Sequence, residues 1–162
     1  MNTSKDKIKL VIFEGADKVG KGTLYLEYRK ATKFQPLALD RFTGSNWVYD
    51  QVYGRTSDLD AYLESEKQMQ EIYDCYLIYL TAPEHVIRAR VEQQETGIYL
   101  DRALANFQKA NELFLKYFLT ETKFKQAKMI NTGIMSEKEC LEEILYFTHE
   151  RGLQNEKFDI NT

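Results

Sequence analysis

The residues best suited to do chemistry lie together near the start of the chain, in Gly15-Ala16-Asp17-Lys18-Val19-Gly20-Lys21-Gly22-Thr23. Their frame is Gly-x4-Gly-Lys, the spacing of a phosphate-binding P-loop. Gly15 and Gly20 let the backbone curl until successive N–H groups face one anion, and a helix opening near Gly22 adds the positive end of its dipole. Lys21 supplies a point charge suited to the β- and γ-phosphates of a nucleotide. Gly22 stands where a hydroxyl usually offers itself to Mg2+, and the hydroxyl comes one position later, at Thr23. The plainer account of this string is a glycine turn beside a surface lysine. What favours the loop is its setting between a strand and a helix.

Both flanks are legible. Lys7 to Phe13 is β-branched and apolar, the pattern of a buried strand, and Gly22 to Ala31 carries Leu24, Tyr25, Leu26 and Tyr28 as a short helix would. Pro36 to Leu39 predicts a second strand ending on Asp40-Arg41, with Pro36 first, where no ladder donor is needed. From Asp58, the steps through Leu59, Tyr62, Leu63, Met69, Ile72 and Tyr73 predict a helix. Cys75 to Leu80 is too continuously apolar for a half-exposed strand and belongs at the sheet centre.

Thr81-Ala82-Pro83-Glu84 opens a helix, Gln93 to Gly97 is polar and loop-like, and Leu100 to Phe118 marks a long amphipathic helix. Lys128 to Ile130 is the last strand. Ser136 with Glu139 forms a capping box that opens the final helix, Glu137 to about His149. Strands alternating with helices imply parallel βαβ units and an α/β three-layer domain.

Composition narrows the class. Apolar residues make up 43% and charged residues 29% of 162, enough for one core under a solvated surface. Lys+Arg 22 against Asp+Glu 25 leaves −3, so bulk attraction to nucleic acid is not expected. Cys75 and Cys140 have no metal-ligand spacing, and no metal site within the protein is assigned. No apolar run reaches membrane-spanning length, and Met1 to Lys9 is polar, so the expected setting is cytoplasmic with no membrane partner.

Phe13 to Lys21 resembles the loop of the thymidylate kinase family, which carries an acidic residue at the position of Asp17. Asp40-Arg41-Phe42, Ser45 and Tyr49 match that family's Asp-Arg-aromatic motif with its following Ser and base-contacting aromatic. Leu77 to Leu80 leading to Arg88-Ala89-Arg90 is similar to the central strand and lid, and Asp101-Arg102-Ala103-Leu104 to the helix after it. The resemblance implies a P-loop kinase fold with a small parallel sheet of about four strands, as one domain over 1–151 with a short lid near 88–99, then a polar tail, 152–162.

It further implies phosphoryl transfer from ATP, with Mg2+, to a deoxynucleoside monophosphate such as dTMP. In that scheme residues 15–23 bind ATP, and Lys21, Asp17, Lys18, Arg88 and Arg90 serve catalysis. Asp17, Asp40, Arg41, Phe42, Ser45, Tyr49 and Arg102 bind the acceptor. Arg41 would clamp its phosphate, and Asp17 would meet its 3′-hydroxyl. A homodimer follows from the same resemblance.

Duller roles stay open. Asp17 pairs only with Lys18, or Arg41 with a surface carboxylate; one of Arg88 and Arg90 faces solvent; Trp47, Tyr49 and Tyr53 are core. His85 and His149 receive no role.

Two departures from the family stand out. One class has Arg where Lys18 stands, and only sixteen residues, Leu24 to Leu39, separate the loop from Asp40. The helical stretch and strand that typical members carry there are absent, which trims the sheet and opens the acceptor site. An open site also admits a modified base or a nucleotide within DNA as acceptor, since Phe42 to Arg55 mixes aromatics and cations as a single-strand platform does. A nucleotide-binding regulator without catalysis is the remaining alternative.

Overall fold

The computed structural model describes residues 7–94 and 97–149; the polar tail, 152–162, lies outside them. Four parallel strands form the sheet of the described residues: β1 (Ile8–Glu14), β2 (Leu37–Asp40), β3 (Tyr73–Thr81) and β4 (Ala127–Asn131), in the order β2-β1-β3-β4. Every connection is a crossover through helix, as parallel pairing demands.

β1 and β3 occupy the centre, Val11 facing Tyr76 and Phe13 facing Ile78 in register, and each of the two is paired on both edges. That explains the unbroken apolar runs: Val11, Ile12, Phe13, Ile78 and Leu80 are fully buried. β2 and β4 are the edges, and β2 is correspondingly short, half-exposed and preceded by Pro36.

Helices α1 (Lys21–Ala31), α2 (Thr43–Val52), α3 (Leu59–Ile72), α4 (Glu84–Glu92), α5 (Gly97–Lys116) and α6 (Glu137–His149) complete the domain, and α5 runs on into a π-helical turn, Tyr117–Glu121. Alternation along the strands sorts the faces. Phe13 meets Tyr25 and Tyr28 of α1 with ring centroids 5.7 and 5.5 Å apart, and Tyr76 meets Phe147 of α6 at 5.4 Å. On the opposite face Tyr79 stacks on Phe114 and Phe118, at 6.1 and 5.3 Å.

The capping box forms as expected: Glu139 N–H donates to Ser136 Oγ at 3.1 Å, and Ser136 N–H to the Glu139 carboxylate at 2.8 Å. Both cysteines are buried and unbridged, and no helix of the described residues is long and apolar enough to cross a membrane.

The expected loop at Gln93 to Gly97 is shorter than its polarity implies. Gln93 and Gln94 form a turn, 95–96 lie outside the described residues, and α5 already starts at Gly97. Of the segment 88–99, residues 88–92 close α4 and 97–99 open α5. α2 has no counterpart among the sequence-predicted elements. Its first residues, Thr43-Gly44-Ser45-Asn46, are poor helix formers, and its N-cap position, Phe42, offers no side-chain acceptor. The missing cap comes from elsewhere: the buried Glu14 carboxylate at the end of β1 accepts from Phe42 N–H at 2.7 Å, from Ser45 N–H at 3.1 Å and from Ser45 Oγ.

The link from α1 to β2 turns on two consecutive non-glycine residues in the left-handed region, Lys33 at φ 53° and Phe34 at φ 59°. Phe34 N–H reaches Arg29 O at 2.8 Å, and the Arg29 guanidinium lies 5.1 Å above the Phe34 ring. This tight closure is how so few residues carry the chain from α1 to the edge of the sheet.

Candidate active site

The site lies at the carboxyl ends of the strands, where open parallel sheets place ligand crevices. The loop of residues 15–20 leaves β1 and enters α1, whose N-cap, Gly20, has φ 90°. Gly15 (φ +152°) passes so close to β3 that a Cβ there would sit 2.5 Å from Leu80 O. Ala16 and Val19 face inward and are buried, while Asp17, Lys18, Gly22 and Thr23 face outward. From Val19 onward, the first amide to find a protein acceptor among the described residues belongs to Leu24, whose N–H reaches Gly20 O at 3.1 Å. The amides of Val19 to Thr23 are thus left for an anion, at the positive end of α1.

Lys21, 8% exposed, holds its ammonium against the Asp40 carboxylate at the end of β2. One residue on, Arg41 takes φ 78°, and its N–H donates to Phe13 O at 2.9 Å. That strained turn aims the guanidinium at Asp17, 2.5 Å away, and lays it 5.0 Å above the Tyr49 ring. Ser45 Oγ accepts from Arg41 at 3.5 Å while donating to Glu14, so Glu14, Ser45 and Arg41 form one chain of contacts. Burial raises the Glu14 carboxyl above its ordinary 4.5, against the lowering effect of its donors Ser45 and Phe42. Burial likewise pushes the Tyr49 phenol up.

Behind α2 a second buried carboxylate, Glu66 of α3, accepts from Thr43 Oγ1 at 2.8 Å, Thr122 Oγ1 at 2.6 Å, Lys123 N–H at 2.9 Å and the Tyr117 hydroxyl. It ties α2 to α3 and to the π-helical turn, and burial raises the Tyr117 phenol.

A cleft of about 390 Å³ opens beside the loop. Asp17 and Lys18 form one wall, Tyr49 of α2 and Tyr53 just beyond its end another, and Val91 of α4 with Asn106 and Phe107 of α5 the third. Tyr49 and Tyr53 are stacked at 6.0 Å and 20°, and Arg55 lies 5.1 Å over Tyr53, so a cation–aromatic series Arg41–Tyr49–Tyr53–Arg55 runs outward along α2.

The sequence-predicted residues separate clearly. Asp17, Lys18, Lys21, Asp40, Arg41, Ser45 and Tyr49 come together around the loop and cleft. Asp17 pairs with Arg41 rather than with Lys18, whose ammonium instead reaches Gln94. Phe42 turns its ring to Phe124, 6.4 Å away in the core beneath the sheet, and gives the site only its N–H. Arg90 donates to Lys18 O at 2.6 Å, whereas Arg88 pairs with Glu84 on the surface of α4 at 3.4 Å. Arg102 is exposed near the start of α5 and lies outside the cleft lining. Trp47 is buried against Tyr117.

Asn106, Phe107 and Val91 were not singled out from sequence. Phe107 is visible there only as one apolar step of an amphipathic helix. Among the described residues no cluster of three acidic, histidine or cysteine side chains could hold a metal ion.

Among solved structures, the chain is similar to the Bacillus subtilis YorR protein, crystallised in complex with phosphorylated GDP. Identity is 19% and the TM-score 0.68, over 85% of this chain and 94% of that one. It is also similar to an unliganded sugar kinase of a Janibacter species, at 12% identity and a TM-score of 0.52, over 87% and 94% of the two chains. The domain has a kinase fold. At these identities the likeness is one of fold. No protein-family model matches the chain, and no curated protein does.

Proposed function

We propose that the chain is a nucleoside monophosphate kinase of the thymidylate kinase type, transferring the γ-phosphoryl group of ATP to a deoxynucleoside monophosphate, with a dTMP-like acceptor first. The observation that supports this is the shared wall: Asp17 and Lys18 belong both to the phosphate loop and to an aromatic-lined cleft of nucleotide size.

In this scheme the amides of Val19 to Thr23 and the Lys21 ammonium hold the donor phosphates. Arg41 holds the acceptor phosphate through its planar fork, backed by Tyr49 and Ser45, and Asp17 passes from Arg41 to the acceptor's 3′-hydroxyl. An acceptor phosphate oxygen attacks the γ-phosphorus in line, the bond to the β–γ bridging oxygen breaks, and ADP leaves.

The residues present fit a nucleotide-borne Mg2+. That ion needs one or two carboxylates beside phosphate oxygens and water, and Asp40, 39% exposed beside Lys21, supplies one. When bound, it neutralises charge on the transferring group. A homodimer and a cytoplasmic setting belong to the same proposal.

A second reading is favoured by one feature. The series Arg41–Tyr49–Tyr53–Arg55 continues from the cleft wall at the exposed Tyr53 to Arg55 beyond it, as a track for a nucleotide within single-stranded DNA does. One panel separates the two. Purified protein with Mg-ATP is offered each deoxynucleoside monophosphate and, separately, single-stranded oligonucleotides with plain and modified bases. Diphosphate formed from a free monophosphate supports the first reading, and label on the oligonucleotide alone supports the second. ATP binding with no transfer to either leaves a nucleotide-binding regulator and sinks both.

A further inference from the structure

A P-loop grips phosphate with N–H groups, and each peptide plane that turns its N–H inward must turn its C=O outward, because the trans peptide sets the two in opposite directions. The outward carbonyls therefore decide whether the nest is ready before the anion arrives. In this chain two consecutive ones are held. Lys18 O accepts from the Arg90 guanidinium of α4 at 2.6 Å, and Val19 O accepts from Thr132 Oγ1 in the β4–α6 connection at 2.5 Å. The N–H partners of those two planes are Val19 and Gly20, both within the run that has no acceptor among the described residues.

The anchors are themselves fixed. Thr132 N–H donates to Thr81 O, at the end of β3, at 2.8 Å. The neighbouring Gly133 packs so tightly on the start of α4 that a Cβ there would lie 2.4 Å from Pro83 Cδ. The Lys18 side chain adds a tie to Gln94, just beyond α4. The loop conformation needs such support: Lys18 holds φ 67° and Gly20 φ 90°, an alternation in hand that makes a nest but costs a lysine roughly 1 kcal/mol or more.

We infer that Arg90 and Thr132 are positioning residues of the phosphate loop, which clamp the carbonyls of Lys18 and Val19 outward so that the amides of Val19 and Gly20 point at the incoming polyphosphate. This rests on the proposal that the loop binds nucleotide phosphates. It moves Arg90 from a group that touches the transferring phosphoryl to one that acts through the main chain.

The test measures binding of ATP and of inorganic tripolyphosphate, which shares the phosphates but has no base and requires no acceptor. Thr132→Val should weaken both about three- to tenfold, the worth of one neutral hydrogen bond, and Thr132→Ser should restore both. Arg90→Ala should weaken both about tenfold or more, with Arg90→Lys in between, while the acceptor KM stays unchanged. In parallel, amide relaxation in the unliganded protein should show Val19 and Gly20 becoming more mobile in Thr132→Val, with Leu24 unaffected.

Wild-type binding with unchanged affinity in Thr132→Val and unchanged loop relaxation overturns the inference and leaves the proposed function standing. A pure kcat loss in Arg90→Ala, with ATP and tripolyphosphate affinity retained, returns Arg90 to the reacting group. Wild-type protein that binds neither polyphosphate overturns both the inference and the proposed function.

Discussion

Around the phosphate loop, the groups left for a ligand are main-chain amides of one contiguous stretch, locked between the ends of β1, β3 and β4. Around the neighbouring cleft they are side chains from the loop, α2, α4 and α5, brought together only by helix packing. The loop's chemistry is indifferent to side-chain identity at most of its positions. The cleft's chemistry consists of side chains, and α2, which carries Tyr49 and leads into Tyr53, owes its first turn to a carboxylate on β1. One half of the site is a single stretch of main chain, and the other is assembled from side chains of separate segments. Donor and acceptor functions should therefore fail separately.

The largest effect is expected from Lys21→Ala. Turnover should fall by about a hundredfold or more, with the far-UV spectrum unchanged, because one charge is removed from the donor phosphates while the strands and α1 remain. Full activity in that variant would sink the donor assignment. Next comes Arg41→Lys, which keeps the charge but loses the fork and the stack on Tyr49. The acceptor KM should rise about tenfold with the ATP KM unmoved, and a parallel rise in both would erase the separation of the two halves. Tyr53→Ala should weaken the acceptor by about fivefold and leave tripolyphosphate binding alone, since the ring lines only the cleft.

The smallest effect is on stability. Burial raises the Glu14 carboxyl above 4.5, so the folded protein holds that proton more tightly than the unfolded chain does. Its contribution to stability is full below about pH 4.5 and is lost as pH rises through the raised folded value. The Tm difference between Glu14→Gln and wild type should therefore move in favour of the variant between pH 4.5 and neutrality, and a pH-independent difference would contradict the burial of that charge.

What could be read in advance follows the same divide. The Gly15-to-Thr23 spacing, the apolar runs of β1 and β3, and the Ser136–Glu139 box are signals carried within a few residues of one another, and each appears where the spacing predicted it. α2 escaped because the acceptor that caps it, Glu14, lies 28 residues before Phe42. Asn106 and Val91 escaped because nothing in their own segments distinguishes a cleft wall from a solvated or packed helix face. By sequence alone, Arg88 and Arg90 are interchangeable. Only the approach of α4 to the loop tip, where Arg90 finds Lys18 O, tells them apart.

The contact between Lys21 and Asp40 has a consequence for selectivity. An ammonium that already has a carboxylate neighbour offers less net positive charge to chloride or a single orthophosphate. A chain of linked phosphates, engaging the amides and the ammonium together and able to bring its own cation to Asp40, gives both halves of the pair something to hold. Under the proposed function, the ion pair should therefore favour polyvalent guests over small anions.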